Sequence, residues 1–275
     1  MSDRIQEIAL EELHAFQNHP FQVNEDDELR ELARSIRDNG VLSPAIVRPR
    51  SDGGYELISG HRRKAACEIA GLASMPVIIR DLDDNEAVII MVDSNKQREH
   101  LLPSEKAFAY KMKLDAIKRQ GKRNNQTSCQ VGTQRRSDQF LARESDESAR
   151  TIQRYIRLTR LVPHLLQMVD DKEIAFNPAV EISYLSKDEQ EMLLEAMRVF
   201  QCTPSLSQSV RMKKLKKSGE LDEGRIYTIM EEAKANQREK VTLMMHEIKQ
   251  YFPKGWKADR MRIYLLNLLQ KNPAK

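Results

Sequence analysis

The chain is 275 residues long, 31% charged and only 5% aromatic, with a net charge of +4; it has room for two domains or more and for a sizeable core, in a helix-rich soluble protein. Three cysteines (Cys67, Cys129 and Cys202) stand far apart with no Cys-x-x-Cys or Cys/His spacing, which argues against a disulfide framework and a structural zinc site and points to a reducing cytoplasm. The amino terminus is charged and no window approaches about 18 consecutive apolar residues, so neither a signal peptide nor a membrane span is expected.

Residues 1–100 read as mixed α/β. "ELRELARSIRDNG" puts Leu29, Leu32, Ala33 and Ile36 on one helical face and supplies a stop at Asn39-Gly40. "PAIVRPR" and "YELIS" flank the turn-rich "SDGG" and predict a hairpin. "KAACEIAG" predicts a short helix ended by Gly71, with Cys67 as a small core residue. "MPVIIRDL" is a further strand, and "DDNEAVIIMVDSN" opens with good N-terminal helix chemistry.

After Pro103 the pattern is helical. "PSEKAFAYKMKLDAIKRQG" predicts a long helix ending at Gly121, followed by a mobile loop, "KRNNQTSCQVGTQRR". From Lys118 to Arg136 there are six basic residues and no acidic one. Composition shifts near 102 and 203 predict three regions: 1–102, 103–203 and 204–275. "RMKKLKK" at 211–217 reads as a solvated face or a DNA-backbone contact. The amphipathic "VTLMMHEIKQYF" and "ADRMRIYLLNLL" close a small domain of their own or form a dimer interface.

Three stretches carry chemistry. In "ELISGHRRKAACEIAG" a strand turns into a helix at Ser59-Gly60, with His61, Arg62 and Arg63 in the first turn. Cations are disfavoured at the positive end of the helix dipole, so this is either a solvated basic start or an anion cradle in which arginines reinforce backbone N–H groups. "VDSNKQREHLLPSE" gathers Asn95, Gln97 and Arg98 just before a new helix. "SDQFLARESDESARTIQRYIRLTRL" predicts a helix-turn-helix over 137–162, with Ser148 as a cap and Arg150, Arg154 and Arg157 recurring on the second helix. The competing reading is a plain helical hairpin. In the first, Arg150, Thr151, Gln153 and Arg154 reach base edges, and Lys122, Arg123, Arg135 and Arg136 of the basic run bind phosphates. His14, His19, His100, His164 and His246 share no spacing, and no metal site is expected from them.

Taken in order, "HPFQVNEDDELRELARSIRDNGVLSPAIVRPR", "YELISGHRRKAA", "VDSNKQREHLLPSEKAFAY" and the helix-turn-helix resemble the ParB family of plasmid and chromosome partition proteins, over roughly residues 1–200. The resemblance implies an α+β chain: a ParB/sulfiredoxin-like amino-terminal domain, an all-α domain and a helical carboxy-terminal region that dimerises. It implies CTP bound with Mg2+. Gly60, Arg62 and Arg63 match the family's Gly-Glu-Arg-Arg motif and Asn95, Gln97 and Arg98 its Glu-Asn-x-Gln-Arg motif, so the resemblance puts these residues, the adjoining Ser59 and His61, and Gln22 of the Pro-x-Gln element in the nucleotide site, with Asn95 near the metal. It further implies a cytoplasmic, nucleoid-associated homodimer on a palindromic double-stranded DNA site, a CTP-dependent clamp and a ParA-type ATPase as partner.

Departures matter as well. His61 and Ser94 stand where the family has Glu, Asp93 lies one residue before the second, and no Pro-Arg follows Gln22. Only a weak CTPase is then expected, since Mg2+ prefers hard oxygen ligands. A ParB-fold enzyme (a nucleotide-dependent kinase or nuclease) and a transcriptional regulator with a decayed nucleotide site stay open as alternatives. Sulfiredoxin chemistry needs a thiolate where this chain has Gly60.

Overall fold

A computed structural model describes residues 4–96, 98, 101–124, 147–232, 249–253, 255–256 and 258–271. Its contacts divide the chain into two units, 1–231 and 232–275.

The first unit opens on a five-stranded mixed sheet in the order β1-β5-β3-β4-β2, formed by β1 (Ile5–Ala9), β2 (Leu13–Ala15), β3 (Ala45–Pro49), β4 (Tyr55–Ser59) and β5 (Ser74–Ile79). The predicted hairpin is β3–β4, antiparallel, with Pro49 opposite Tyr55. β5 lies parallel to β3 on its other side and antiparallel to β1, and β2 runs parallel to β4. Neither β1 nor β2 is evident from the sequence pattern. Both are outer strands, β2 is three residues long, and β1 has no fully buried residue, so the apolar alternation that marks a half-buried strand is missing.

Three helices pack around this sheet. α1 (Asp27–Asn39) buries Leu29, Ala33 and Ile36 as its periodicity predicts, starts from an Asp26 cap and stops at Gly40. α2 (His61–Ala70) buries Ala66 and Cys67 and ends at Gly71 in the left-handed conformation. α3 (Asp84–Asn95) begins with a reciprocal capping box between Asp83 and Glu86. One apolar core joins Leu13, Leu29, Val47, Leu57, Met75 and Val77, and a second joins Phe16, Phe21, Ile58 and Met91.

α4 (Pro103–Asn124) follows; it runs through Gly121, where a stop was expected, because a glycine costs a helix only about 1 kcal/mol. Residues 122–124 of the expected loop are therefore helical, and the rest of it, with the first helix of the expected helix-turn-helix, lies outside the described residues. Lys113 on α4 is 3% exposed and donates to Asp93 of α3 at 2.5 Å, pinning the two helices together. α5 (Ala149–Leu158), α6 (Pro163–Asp170), α7 (Phe176–Ile182), α8 (Lys187–Phe200), α9 (Leu206–Ser218) and α10 (Glu223–Glu231) share one core that runs from Leu158 through Leu165, Leu193 and Met212 to Met230. This core continues across residue 203, where the sequence suggests a boundary; the polar stretch there links α8 to α9 within it. Gln190 is buried without loss, since it donates to the carbonyls of Arg160 and Leu185 and accepts from the Val162 N–H at 2.8 Å.

Within the second unit, α11 (Ala258–Lys271) carries Tyr264 against Phe252 and Trp256, and Arg260 lies over the Trp256 ring. Among the described residues no helix is long and apolar enough to cross a membrane.

Candidate functional site

The β4-to-α2 turn opens on a cleft of about 710 Å3. Its floor is Ser59, Gly60, His61, Arg62 and Arg63; one wall is His19 with Val23, Asn24, Asp26 and Glu28; the other is Ser94, Asn95 and Arg98 at the end of α3, with Leu102 and Glu105 at the start of α4. Two motifs more than 30 positions apart in sequence thus meet at one site. Gln97 lies outside the described residues. Gln22 sits beside the cleft, where its N–H donates to Glu105 Oε1 at 2.7 Å and its carbonyl accepts from Arg98 at 3.5 Å.

Gly60 caps α2 with φ 114°, a left-handed conformation that side chains resist. A Cβ at this position would come within 2.8 Å of Ala45 Cβ. The sequence suggests that the glycine clears space for a phosphate; the geometry adds that it lets α2 start directly against β3. Among the described residues no side chain caps the first turn of α2, whose helical ladder begins with Lys64 N–H donating to Gly60 O at 2.9 Å.

The three arginines are held differently. Arg62 grips Asp26 with both terminal nitrogens at 3.0 Å and reaches Glu28 at 3.3 Å. That bidentate bond holds the Asp26 carboxyl below its usual value, and Asp26 also caps α1 by accepting from Leu29 N–H at 2.7 Å. Among the described residues Arg63 donates only to uncharged oxygens, the Ser43 carbonyl at 2.5 Å, the Pro44 carbonyl at 2.7 Å and the Ser43 hydroxyl, and burial lowers its pKa. Arg98 likewise has no carboxylate partner among the described residues. Arg63 and Arg98 therefore leave positive charge in the cleft with no fixed anion on it, which favours a bound anion.

Four features could not be read from the sequence. Glu105, 3% exposed, accepts from the N–H groups of both Gln22 and Leu102 and so ties the loop before α1 to the start of α4. Asp93 cannot stand in for the missing glutamate, because it points to Lys113 and does not line the cleft. Ser94 and Asn95 both fold back to donate to the Met91 carbonyl at 2.9 Å. His19, separated from His61 by 42 positions, stacks on it with ring centroids 3.7 Å apart.

The second predicted site centres on α5. Ser148 caps it as expected, accepting from Thr151 N–H at 3.1 Å, and Ile152 is fully buried beside Leu114 of α4. Arg150 and Gln153 point to solvent one turn apart. Arg154 instead bonds to Asn177 and lies over the Phe176 ring, and Arg157 donates to the Ser183 carbonyl at 3.0 Å and stacks on Tyr184 at 3.7 Å. Lys213 covers the same Tyr184 ring and pairs with Glu181, and Lys216 pairs with Glu189, so this much of the basic 211–217 run is spent on packing α9 against α7 and α8. Lys122 and Arg123 fall on the last turn of α4; Arg135 and Arg136 lie outside the described residues.

Residues 1–96 match the family model of the ParB N-terminal domain. A probable chromosome 1-partitioning protein ParB of Deinococcus radiodurans is 46% identical over 112 residues, covering 41% of this chain and 38% of the relative. A nucleoid occlusion protein of Listeria monocytogenes is 32% identical over 193 residues, covering 70% of this chain and 61% of the relative. The chain thus spans less than two thirds of the length of these relatives. Among solved structures, a C-terminally truncated chromosome-partitioning protein ParB from Caulobacter crescentus complexed with CTP-gamma-S is 26% identical, covers 66% of this chain and 93% of that one, and gives a TM-score of 0.33.

Proposed function

Because this chain carries a ParB N-terminal domain in residues 1–96, we propose that it is a ParB-type DNA-binding partition protein whose cleft takes CTP as a switch. The observation that carries this reading is the convergence of Gly60, Arg62, Arg63, Asn95 and Arg98 on one cleft, with Arg63 and Arg98 free of carboxylate partners among the described residues. The triphosphate takes the N–H groups of the first turn of α2 and the guanidinium of Arg63, and Arg62 exchanges Asp26 for phosphate oxygens. Mg2+ would be held by the Asn95 amide oxygen, and by the Ser94 hydroxyl if it let go of the Met91 carbonyl, and would supply positive charge to the phosphates.

The switch binds far better than it hydrolyses. Of the cleft carboxylates, Asp26 and Glu28 hold Arg62 and Glu105 holds two backbone N–H groups, while positions 61 and 94 carry no carboxylate. Turnover is slow or absent, and Ser94→Glu raises it.

On the DNA side, Arg150, Thr151 and Gln153 reach base edges of a palindromic site, the 118–136 run supplies phosphate contacts, and the carboxy-terminal helices pair two copies. Association with the nucleoid and with a ParA-type ATPase follows from the same reading, in keeping with the partition and nucleoid-occlusion relatives. The test is calorimetry with CTP, ATP, GTP and UTP, with and without DNA and Mg2+. CTP is expected to bind in preference to the others, and no heat from CTP under any of these conditions overturns the nucleotide reading. A DNA-binding regulator with a decayed nucleotide site is the second reading, favoured by the back-bonded Ser94 and Asn95.

A further inference from the structure

His19 and His61 pack together on the cleft wall and floor with their rings tilted by 35°, and the Nε2 atom of each is buried with no hydrogen-bond partner among the described residues. A single orphaned ring nitrogen is unusual, and two in contact need an explanation, since buried polar atoms are nearly always satisfied. His19 Nδ1 sits 2.8 Å from the Phe21 carbonyl, so in the neutral ring the proton is on Nδ1 and Nε2 carries a bare lone pair. Both rings are neutral at pH 7. Burial first, then His19 and Lys64, push His61 down to about 3, and burial leads in lowering His19, opposed by the Phe21 carbonyl, with Arg98 adding to the lowering and Glu105 opposing it.

A polyphosphate offers only acceptors, and a neutral Nε2 lone pair can offer it nothing. A protonated Nε2–H is a charge-assisted donor. We propose that the His19–His61 pair is a phosphate-binding element that takes up a proton as a polyphosphate enters, the protonated ring turning its Nε2–H out of burial toward the ligand as a donor. This rests on the triphosphate reading of the cleft. The groups that face the pair bear on it from every side: Arg62, Arg63 and Lys64 on α2 and Arg98 after α3 oppose protonation; Asp26, Glu28 and Glu105 favour it, but Asp26 and Glu28 are engaged with Arg62. Protonation therefore waits for the negative charge of the ligand.

A proton bound in the complex and absent from the free protein makes binding tighter at low pH, and binding weakens as pH rises through the pKa of the loaded pair. Uptake of one proton corresponds to about a tenfold loss of affinity per pH unit in that window.

The experiment is calorimetry on the full chain at pH 7, with CTP and separately with inorganic tripolyphosphate, in two buffers of different ionisation enthalpy. The buffer dependence should give uptake of about one proton in wild type, and His61→Gln should remove it while still binding more weakly. Protonation of the phosphate itself is common to both proteins and cancels in the difference. Histidine resonances of the wild-type protein, followed by NMR with and without tripolyphosphate, give a readout that does not depend on the variant folding. A His61 or His19 signal moving to its protonated position on loading supports the proposal. Polyphosphate bound with no buffer dependence, or with both rings still neutral, overturns it while leaving the cleft reading intact. Tripolyphosphate bound with proton uptake but no CTP bound keeps the proposal and overturns the nucleotide reading. Failure of both ligands to bind overturns both.

Discussion

The arginines of the cleft and those of α5 make an instructive contrast. Both groups stand at close helical spacing in the sequence, and both invite the same reading as anion binders. In the cleft, Arg63 reaches, among the described residues, only carbonyl and hydroxyl oxygens, so its charge meets no fixed carboxylate there. On α5, Arg154 and Arg157 turn inward to Asn177, Phe176, Ser183 and Tyr184, so their guanidinium planes serve as packing surface. What separates the two is the neighbour, not the arginine. A short turn against β3 gives Arg63 only main-chain acceptors and one hydroxyl, whereas the α5–α7 contact offers aromatic rings and side-chain oxygens.

Four substitutions break or sharpen that contrast. The largest effect belongs to Arg63→Ala, which should weaken CTP binding about a hundredfold while nucleotide-free DNA binding is unchanged, as read by calorimetry beside gel shifts. Arg150→Ala should cost about 1–3 kcal/mol on the specific DNA site and relax preference at one base position, with no change in melting temperature. Arg157→Ala should do the reverse: a stability loss of about 1–2 kcal/mol by chemical denaturation from the lost ring stack and hydrogen bonds, with base preference retained. If Arg157→Ala changes base preference and leaves stability alone, the contrast fails on the α5 side. The smallest effect is that of Asp26→Asn. Asparagine caps a helix as well as aspartate does, so the variant should keep α1 and free Arg62, tightening CTP binding a fewfold.

The Arg62–Asp26 bridge also fixes an acid response. Because Arg62 lowers the Asp26 pKa in the folded protein, the bridge contributes fully above the ordinary aspartate value, near pH 4, and is lost as pH falls through the lowered value. Thermal melts from pH 5 down to pH 2 should show wild type converging on Asp26→Asn.

Sequence and structure agree where a local rule suffices. The α1 face, the β3–β4 hairpin, the Gly71 stop and the Ser148 cap are all set by residues within one or two turns of each other, and all are found as expected. The gathering of the two basic motifs was legible only through the family resemblance, since nothing in their spacing brings residue 62 to residue 98. β1 and β2 depend on partners elsewhere in the chain, β5 and β4, and three or five residues carry too little pattern to predict them. The His19–His61 stack, the Glu105 tie and the diversion of Asp93 to Lys113 are tertiary accidents of packing that no periodicity encodes. The fates of Arg154 and Arg157 were hidden for the same reason, because a helical wheel shows which side a residue faces and not what it meets there.

α4 has a mechanical consequence. It is 22 residues long, a rod of about 33 Å. Glu105 in its first turn lines the cleft, and Leu114, farther along, presses on Ile152 of α5. A stiff rod converts angle into travel: each degree of tilt about one end moves the other by about 0.6 Å. Leu114 sits near the middle, so it covers roughly half that distance, and a few degrees shift it by about an ångström, which is large on the scale of a close-packed core. The cleft end of this helix and its contact with α5 therefore share a single orientation, and a tilt at the one is a displacement at the other.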